Sequence, residues 1–153
     1  MSAKPQGVKM VVANRKARHE YDLLDFVEAG IVLTGSEVKS LREGRANITD
    51  GYVYFQQGQA ILCGVHISPY PNAGYAQHDP DRERVLLLHA REIASLAAKV
   101  EQKGLTVIPT KMYFKNGKMK VELALARGKR VHDRREELRR RAIQRDLERE
   151  MAR

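Results

Sequence analysis

Alternation of apolar and polar residues predicts short β-strands over much of this chain. Residues 48–55 and 60–67 form one predicted hairpin, with Gly58 in its turn. In the second strand of this hairpin, apolar residues at every other position are predicted to share one buried face: Ile61, Cys63, Val65 and Ile67. Cys63 is accordingly predicted to be a small core residue and not a reactive thiol.

A second hairpin is predicted between Leu105 and Ala126, because Asn116-Gly117 is the preferred sequence of a two-residue type I′ turn. The turn sets a register that pairs Tyr113 with Lys120 and Lys111 with Glu122. One face then carries four apolar residues that are predicted to face the core: Met112, Phe114, Met119 and Val121. The other face carries one ring among four cations: Lys111, Tyr113, Lys115, Lys118 and Lys120. This pattern favours a nucleic-acid surface, while an ordinary solvated face with one aromatic cross-strand partner is the alternative.

Between these hairpins and the N-terminus, residues 27–51 predict a strand, a short helix and a turn into the next strand. Gly30 interrupts an apolar pattern, so the first strand pair, within Leu23–Leu33, is predicted to bend at Ala29-Gly30. Ser36 is the predicted N-cap of the helix, with Glu37 in its first turn. Gly44 is predicted to end the helix in the left-handed conformation.

The helix is predicted to pack on a sheet through Val38 and Leu41, which lie three residues apart. Lys39 and Arg42 share a neighbouring, outward face and are candidate RNA contacts. The clearest helix is predicted at residues 90–103, where Gly104 ends a regular apolar stripe. Arg84–Leu88 is predicted to be another short strand, with Leu87 in the core, and residues 68–84 to be a long surface loop.

These elements predict a mainly β fold: a small antiparallel OB-like barrel with two or three flanking helices, since open sheet edges need closing. Three regions are expected: a flexible basic N-terminal arm at residues 1–13, the barrel at 14–127, and a basic C-terminal tail at 128–153. The chain carries a net charge of +9, which favours a polyanionic partner. A single cysteine excludes an internal disulfide and favours a reducing cytoplasm, and no apolar run is long enough to span a bilayer.

A basic cluster precedes the first long strand. Three cations, Arg15, Lys16 and Arg18, are followed by His19 and Tyr21. A solvated charge run is the commoner explanation of such a cluster. The ring that follows the cations favours RNA, because cations bind phosphates while a histidine or tyrosine stacks on an unpaired base.

The tail, residues 128–153, holds ten cations and six carboxylates. On a helix, one side carries arginines, namely Arg134, Arg141, Arg145 and Arg149, and nearly the opposite side carries Ile143, Leu147 and Met151. Like charges four residues apart cost roughly 0.2–0.5 kcal/mol a pair. The tail is therefore predicted to be disordered when free and helical when RNA neutralises the arginines, with a plain solvated helix as the alternative.

No catalytic constellation stands out in the sequence. Five histidines lack metal-ligand spacing to Cys63, and neither a P-loop nor a dinucleotide fingerprint is present. We therefore expect a binding protein, not an enzyme, with no cofactor and no metal.

Several stretches resemble one family. They are Asn14-Arg15-x-Ala17-x-His19-Glu20-Tyr21, Phe26-x-Glu28-Ala29-Gly30, Gly35-x-Glu37-Val38-Lys39-Ser40-Leu41-Arg42, Gly44-x-Ala46-Asn47-Ile48-x-Asp50, Asp79-Pro80-x-Arg82-x-Arg84 before Leu86-Leu87-Leu88, and Gly128-Lys129-x-x-His132-Asp133-Arg134-Arg135. In this order, over almost the whole chain, they resemble SmpB, the SsrA-binding protein family that partners transfer-messenger RNA in bacterial ribosome rescue. Arg134 stands where lysine is usual.

The resemblance implies an OB-like barrel that binds the tRNA-like domain of transfer-messenger RNA. It assigns Glu28, Leu87 and Lys120 to the RNA-contacting surface, with Asn14, Arg15 and His19 beside them. The residues alone favour Lys120, His19 and Arg15, whereas Glu28 reads from the sequence as a surface or ion-paired carboxylate. Glu28 and Leu87 are thus assigned by resemblance only.

For the tail, the resemblance implies entry into the empty mRNA channel of a stalled ribosome, where it becomes helical. His132 and Asp133 would lie near the decoding centre, His132 stacking on a ribosomal RNA base and Asp133 capping the helix that follows. Lys129, Arg134 and Arg135 belong to the same motif. We expect a cytoplasmic, monomeric adaptor with two RNA surfaces. The alternative is a structural RNA-binding protein of a ribonucleoprotein such as the ribosome.

Overall fold

The computed structural model describes residues 7–128, 142–149 and 151. The strands in residues 7–128 are β1 (Val8–Ala13), β2 (Tyr21–Ile31), β3 (Ala46–Asn47), β4 (Tyr52–Gln56), β5 (Gln59–Cys63), β6 (His66–Ile67), β7 (Arg84–Leu87), β8 (Thr106–Lys115) and β9 (Lys118–Gly128). The helices in that range are α1 (Ala17–Glu20), α2 (Gly35–Arg42), α3 (Ala90–Lys103) and a 3-10 turn at Gly74–Ala76.

Seven strands form one antiparallel sheet in the order β1-β8-β4-β5-β7-β2-β9, and a further pairing of β8 with β9 closes it into a ring. Strand β1 adds to the ring along β8, and β3 pairs with β6 as a separate two-stranded sheet. Closure removes the free edges that an open sheet of this size would present. The predicted mainly β, OB-like barrel is confirmed.

The β8–β9 hairpin has the predicted turn and register. Asn116 and Gly117 both have positive φ angles, 53° and 81°, as a type I′ turn requires. Tyr113 pairs with Lys120 and Lys111 with Glu122, after which the register shifts between Pro109 and Lys111. Met112, Phe114, Met119 and Val121 are buried in the core, as predicted.

The predicted bend at Ala29-Gly30 is wrong. Strand β2 runs unbroken from Tyr21 to Ile31, and its irregularity lies between Leu23 and Asp25. Gly30 is instead the residue at which β2 is paired on both sides, with Leu87 of β7 and Lys120 of β9. The glycine thus marks a close approach between strands and not a corner.

The predicted single strand at residues 60–67 is also wrong, because the chain turns at Gly64. Gly64 has φ +73°, and a Cβ there would lie 2.5 Å from the carbonyl oxygen of Asp50. The break separates β5 from β6, which belong to different sheets. The four alternating residues are buried as predicted, including Cys63, but β5 also buries Ala60 and Leu62. Burial on both sides of a strand cannot be read from alternation.

Helix α2 begins two residues earlier than predicted. Its N-cap is Thr34, not Ser36, and Thr34 forms a capping box with Glu37. Ser36 lies inside the helix and hydrogen-bonds the Nδ1 atom of the buried His78 at 2.7 Å. Gly44 has the predicted positive φ, +71°. His78 also bonds the carbonyl of Ile67 at 2.8 Å, so part of the predicted surface loop at residues 68–84 is fixed against α2.

The expected chain boundaries change at both ends. Residues 8–13 of the expected flexible arm form β1, whose backbone pairs with β8. At the other end, Gly128 is the last residue of β9 and pairs with Tyr21, so the barrel extends one residue further than expected. Residues 142–149 and 151 are helical, while the predicted change from a disordered free tail to a helical bound tail stays a prediction. No helix among the described residues is both long and apolar enough to cross a membrane.

Candidate nucleic-acid interface

A row of paired residues crosses the outer face of the barrel. Directly opposite residues on antiparallel strands project from the same face of a sheet. The pairings give one row over five adjacent strands: Leu87 on β7, Gly30 on β2, Lys120 on β9, Tyr113 on β8 and Met10 on β1. Apolar, cationic and aromatic side chains are thus aligned on the surface opposite the core.

Leu87 has the largest exposed fraction of any residue in this row, 58% of its surface. Its neighbour Leu86 is 3% exposed and belongs to the main core. The core position predicted for Leu87 from its apolar run is therefore wrong, because β7 turns alternate side chains inward and outward. An exposed leucine surrounded by charged groups is available for contact with a partner.

Gly30 has no side chain, and this permits Leu87 to lie close to the backbone of β2. A Cβ at Gly30 would lie 3.2 Å from the Cβ of Leu87. Two depressions meet at Gly30, Leu87 and Lys120. The Glu28-side depression, about 370 Å³, also contains Glu28, Leu88, His89 and Glu92. The α2-side depression, about 320 Å³, also contains Ile31, Leu33, Val38, Phe114, Gly117, Lys118 and Met119.

Glu28 is held by two side chains from β8. The hydroxyl of Tyr113 donates a hydrogen bond to its carboxylate, and the ammonium of Lys115 lies 3.4 Å away. The bond from Tyr113, opposed by some desolvation and aided by Lys115, holds the pKa of Glu28 below its ordinary value of 4.5. Glu28 is therefore ionised at neutral pH and can accept further hydrogen bonds, as from base amino groups.

Tyr113 does not offer its ring to a partner as the sequence suggested. It lies on the predicted outer face, but only 9% of its surface is exposed. The depression around it is lined by side chains of β1, Val8 and Met10, which the sequence assigned to a loose arm. Burial, together with its bond to Glu28, raises the pKa of Tyr113, so the phenol stays protonated as a donor. Through its hydrogen bond the phenol restricts the Glu28 carboxylate.

The two candidate cations of α2 are both exposed, and each lies over an aromatic ring. The ammonium of Lys39 is 5.6 Å from the ring centre of Tyr70. The guanidinium of Arg42 is 5.2 Å from the ring centre of Phe114, which lines the α2-side depression. Such cation–π contacts restrict the side chains without neutralising their charge.

The N-terminal candidates lie at the other end of β2. Helix α1 packs its buried Ala17 against a small second core on the outer face, made of Ile108, Ala124 and Ala126. Arg15 and His19 are exposed there. Tyr21 and Gly30 are nine positions apart on β2, roughly 30 Å at 3.3 Å per residue. The cluster that precedes Tyr21 and the Gly30–Lys120 pair therefore lie at opposite ends of this strand.

Asn14 differs from its exposed neighbours, since it is 9% exposed. Its side-chain amide donates to the carbonyl of Pro109 at 3.2 Å, and its backbone N–H donates to the carbonyl of Thr110 at 2.7 Å. These bonds fix the end of β1 beside the irregularity in β8. Asn14 therefore anchors the polypeptide and exposes little surface, and its predicted contact with RNA stays a prediction.

One charged cluster was not found by sequence reasoning. The carboxylate of Glu37, fully buried, accepts hydrogen bonds from Arg84 at 2.6 Å and from Arg82 at 2.6 Å. The guanidinium of Arg84 is itself fully buried and also donates to the carbonyl of Val65 at 2.9 Å. The cluster joins α2 to the start of β7, which carries Leu87. The sequence signal for this cluster was the pair of arginines before Leu86-Leu87-Leu88. These arginines were interpreted as charges of a surface loop.

The tail candidates fall mostly outside the described residues: Lys129, His132, Asp133, Arg134, Arg135 and Arg141. Arg145 and Arg149 lie on the described helical residues 142–149, where Arg149 is 4.0 Å from Asp146. Ile143, Leu147 and Met151 are exposed. Among the described residues, no group of three or more His, Cys, Asp or Glu side chains is arranged to hold a metal ion.

Comparison with known proteins gives matches over the whole chain. A family model described as "SmpB protein" matches residues 11–153. The SsrA-binding protein of Nitratidesulfovibrio vulgaris (strain Hildenborough) is 62% identical over 153 residues, which cover 100% of this chain and 99% of that protein. The SsrA-binding proteins of Solidesulfovibrio magneticus (61%; 100% and 99% covered) and Lawsonia intracellularis (59%; 99% and 97% covered) are similarly close.

A solved structure, "tmRNA-SmpB: a journey to the center of the bacterial ribosome", contains a chain that is 51% identical in sequence. The two chains superpose with a TM-score of 0.66, over 78% of this chain and 84% of the other.

Proposed function

From the premise that this chain belongs to the SmpB family, we propose that it is an RNA-binding adaptor of ribosome rescue by trans-translation. Its relatives are SsrA-binding proteins, and a 51% identical chain belongs to a tmRNA–SmpB structure concerning the bacterial ribosome. Its partners are accordingly transfer-messenger RNA and the ribosome. It works by binding and performs no covalent step.

The observation that carries the proposal is the row Leu87–Gly30–Lys120, in which Leu87 is exposed and the other two are half-buried, next to an ionised Glu28. It combines an apolar surface for a base or sugar, a cation for phosphate and a fixed acceptor for base amino groups. We assign this face to the tRNA-like domain of transfer-messenger RNA. Arg15 and His19 extend the same outer surface and serve as further contacts, as Lys39, Arg42 and Lys118 do near α2.

The tail has the second role. Residues 129–153 carry a net charge of +4, and the described residues 142–149 are helical. We propose that this segment enters the empty mRNA channel, with Gly128 as the point of exit from the barrel. His132 and Asp133 then act at the decoding centre, and the arginine side binds ribosomal RNA phosphates. Arg134 keeps the charge of the family's usual lysine with a different donor geometry.

The test is to sequence the RNA that copurifies with the full-length protein and with Lys120→Ala. We expect one dominant tRNA-like species with the first protein and its loss with the second. Binding to that RNA should fall steeply with salt, with a log–log slope of roughly −0.7 to −0.9 per phosphate contacted. Stoichiometric recovery with all ribosomes, stalled or not, would instead support a structural ribonucleoprotein component and contradict the adaptor.

A further inference from the structure

We propose that the α2-side depression binds one unpaired base of the RNA, separated by Leu87 from a neighbouring nucleotide in the Glu28-side depression. The inference rests on the proposed function and adds to it a defined pocket on the barrel. It also assigns roles to Val38, Phe114 and Arg42 at that pocket.

The two depressions share Gly30, Leu87 and Lys120 but differ in chemistry. Among residues 7–128, the Glu28-side depression contains two carboxylates, Glu28 and Glu92. The α2-side depression contains none of that range and has two ammonium groups, Lys118 and Lys120, at apolar walls. Carboxylates attract the amino edges of bases, whereas an apolar pocket beside cations suits the face of a base with its adjacent phosphate.

The α2-side depression has apolar side chains on two sides. Leu33 and Val38 line it from the α2 side, and Phe114 and Met119 line it from the hairpin. Its volume, about 320 Å³, lies at the small end of the range for ligand pockets, roughly 300–1,000 Å³. A single extruded base is therefore a better match than a paired duplex, whose bases are not accessible to such a pocket.

Arg42 supplies a further cation. Its guanidinium lies over the ring of Phe114, which also lines the depression. The side chain is exposed, so its charge is available to an incoming phosphate. A guanidinium held by an aromatic ring has less rotamer freedom to lose on binding than a free one.

The position of Leu87 favours an unpaired base. Leu87 lines both depressions and is 58% exposed, so two bases that occupied them would lie on either side of its side chain. Such bases do not stack on each other, and the cost of unstacking is smallest in loops, whose bases are already splayed. The ligand class is therefore a loop of folded RNA.

The test combines a filled pocket with single abasic substitutions at each unpaired loop position of a tRNA-like RNA. The filled variant is Val38→Phe in the full chain. Its matched control is Val100→Phe on α3, since both valines are half-buried and pack against the main core, but Val100 does not line the depression. Affinities are measured with each RNA.

With the unmodified protein and with Val100→Phe, removing one particular base should weaken binding roughly five- to hundredfold, the effect of losing one stacked base. Val38→Phe should bind the intact RNA that much more weakly and should be insensitive to removal of the same base. If base removal weakened the binding of Val38→Phe and Val100→Phe equally at every loop position, the proposed base pocket would be contradicted.

A second set of affinity measurements does not depend on the folding of Val38→Phe. Lys118 is exposed at the end of the hairpin, so Lys118→Ala leaves the core intact. A neutral methylphosphonate next to the critical base should weaken binding to the unmodified protein and have little effect with Lys118→Ala. Additive losses would contradict the assigned phosphate contact. Leu87→Ala measured in parallel separates the two proposals: unchanged affinity there rejects the whole interface, while a loss there with no coupling at Val38 rejects the pocket alone.

Discussion

The hydroxyl of Tyr113 donates a hydrogen bond to the carboxylate of Glu28, although β9 separates the strands that carry these two residues. Lys120 and Glu122 are the two residues of β9 that lie beside this bond. Lys120 pairs with Tyr113 and Glu122 pairs with Lys111 across the hairpin, so both project from the outer face. A buried phenol thus fixes an exposed carboxylate on the surface that we assign to RNA. We therefore infer that Tyr113, which the sequence predicts on a nucleic-acid surface, acts there by positioning Glu28.

Tyr113→Phe should raise the pKa of Glu28 toward 4.5, because the lost hydrogen bond is the largest of the effects that lower it. RNA affinity should fall several-fold as the carboxylate loses its orientation. An NMR titration of the Glu28 carboxyl carbon measures the first effect. Tyr54→Phe is the matched control, since its hydroxyl bonds Glu83 at 2.9 Å and not Glu28. A Glu28 titration unchanged by Tyr113→Phe would refute the positioning role.

Leu86 and Leu87 provide a matched pair of adjacent leucines. Leu87→Ala should change the free energy of unfolding by no more than about 0.5 kcal/mol, as for other exposed sites, yet lower RNA affinity roughly tenfold if it contacts a base. Leu86→Ala should cost about 2–5 kcal/mol of stability because it leaves a cavity in the core. Urea unfolding and RNA titration of both variants give the comparison. A large stability loss with Leu87→Ala would contradict its exposure.

The pairing of Glu37 with Arg84 predicts a strong effect of neutralising the carboxylate. Glu37→Gln leaves the fully buried guanidinium of Arg84 without its counter-charge, which should cost roughly 3 kcal/mol at neutral pH. Glu43→Gln, an exposed change near the end of the same helix, should change stability by no more than about 0.5 kcal/mol. Urea unfolding of the two variants measures the difference.

The Glu37→Gln effect should depend on pH. Burial raises the pKa of Glu37, but hydrogen bonds from Arg82, Thr34 and Arg84 outweigh it, so the pKa lies below 4.5. A carboxyl with a lowered pKa stabilises the fold above its unfolded value and loses that contribution as pH falls through the folded value. The stability gap between the two proteins should therefore be full at neutral pH and shrink below about pH 4.5. A gap that widens in acid would rule out the ion pair as its source.

Features with a local cause were predictable from the sequence. The β8–β9 register follows from Asn116-Gly117, since a two-residue type I′ turn permits one pairing. Features that depend on distant contacts were not. Glu37 and Arg84 are 47 residues apart, and which side of β7 faces the core depends on how it packs between β5 and β2. Tyr113 is covered because residues 8–13 form a strand, which their sequence alone did not indicate.

Removal of residues 129–153 separates the two proposed surfaces. The cut follows Gly128, because that residue pairs with Tyr21 and belongs to the barrel. Affinity for the tRNA-like RNA should stay close to that of the full chain, since the Leu87–Lys120 face is intact, while rescue of stalled ribosomes should be abolished.

A full-length chain with residues 129–153 in scrambled order is the control for net charge. It should also fail in rescue, because scrambling keeps the charge of +4 but disperses the arginine side. Conversely, Lys120→Ala should lose RNA affinity with the tail unchanged. If truncation weakened RNA binding as much as Lys120→Ala does, the tail would be part of the same RNA surface and the two roles would not be separate.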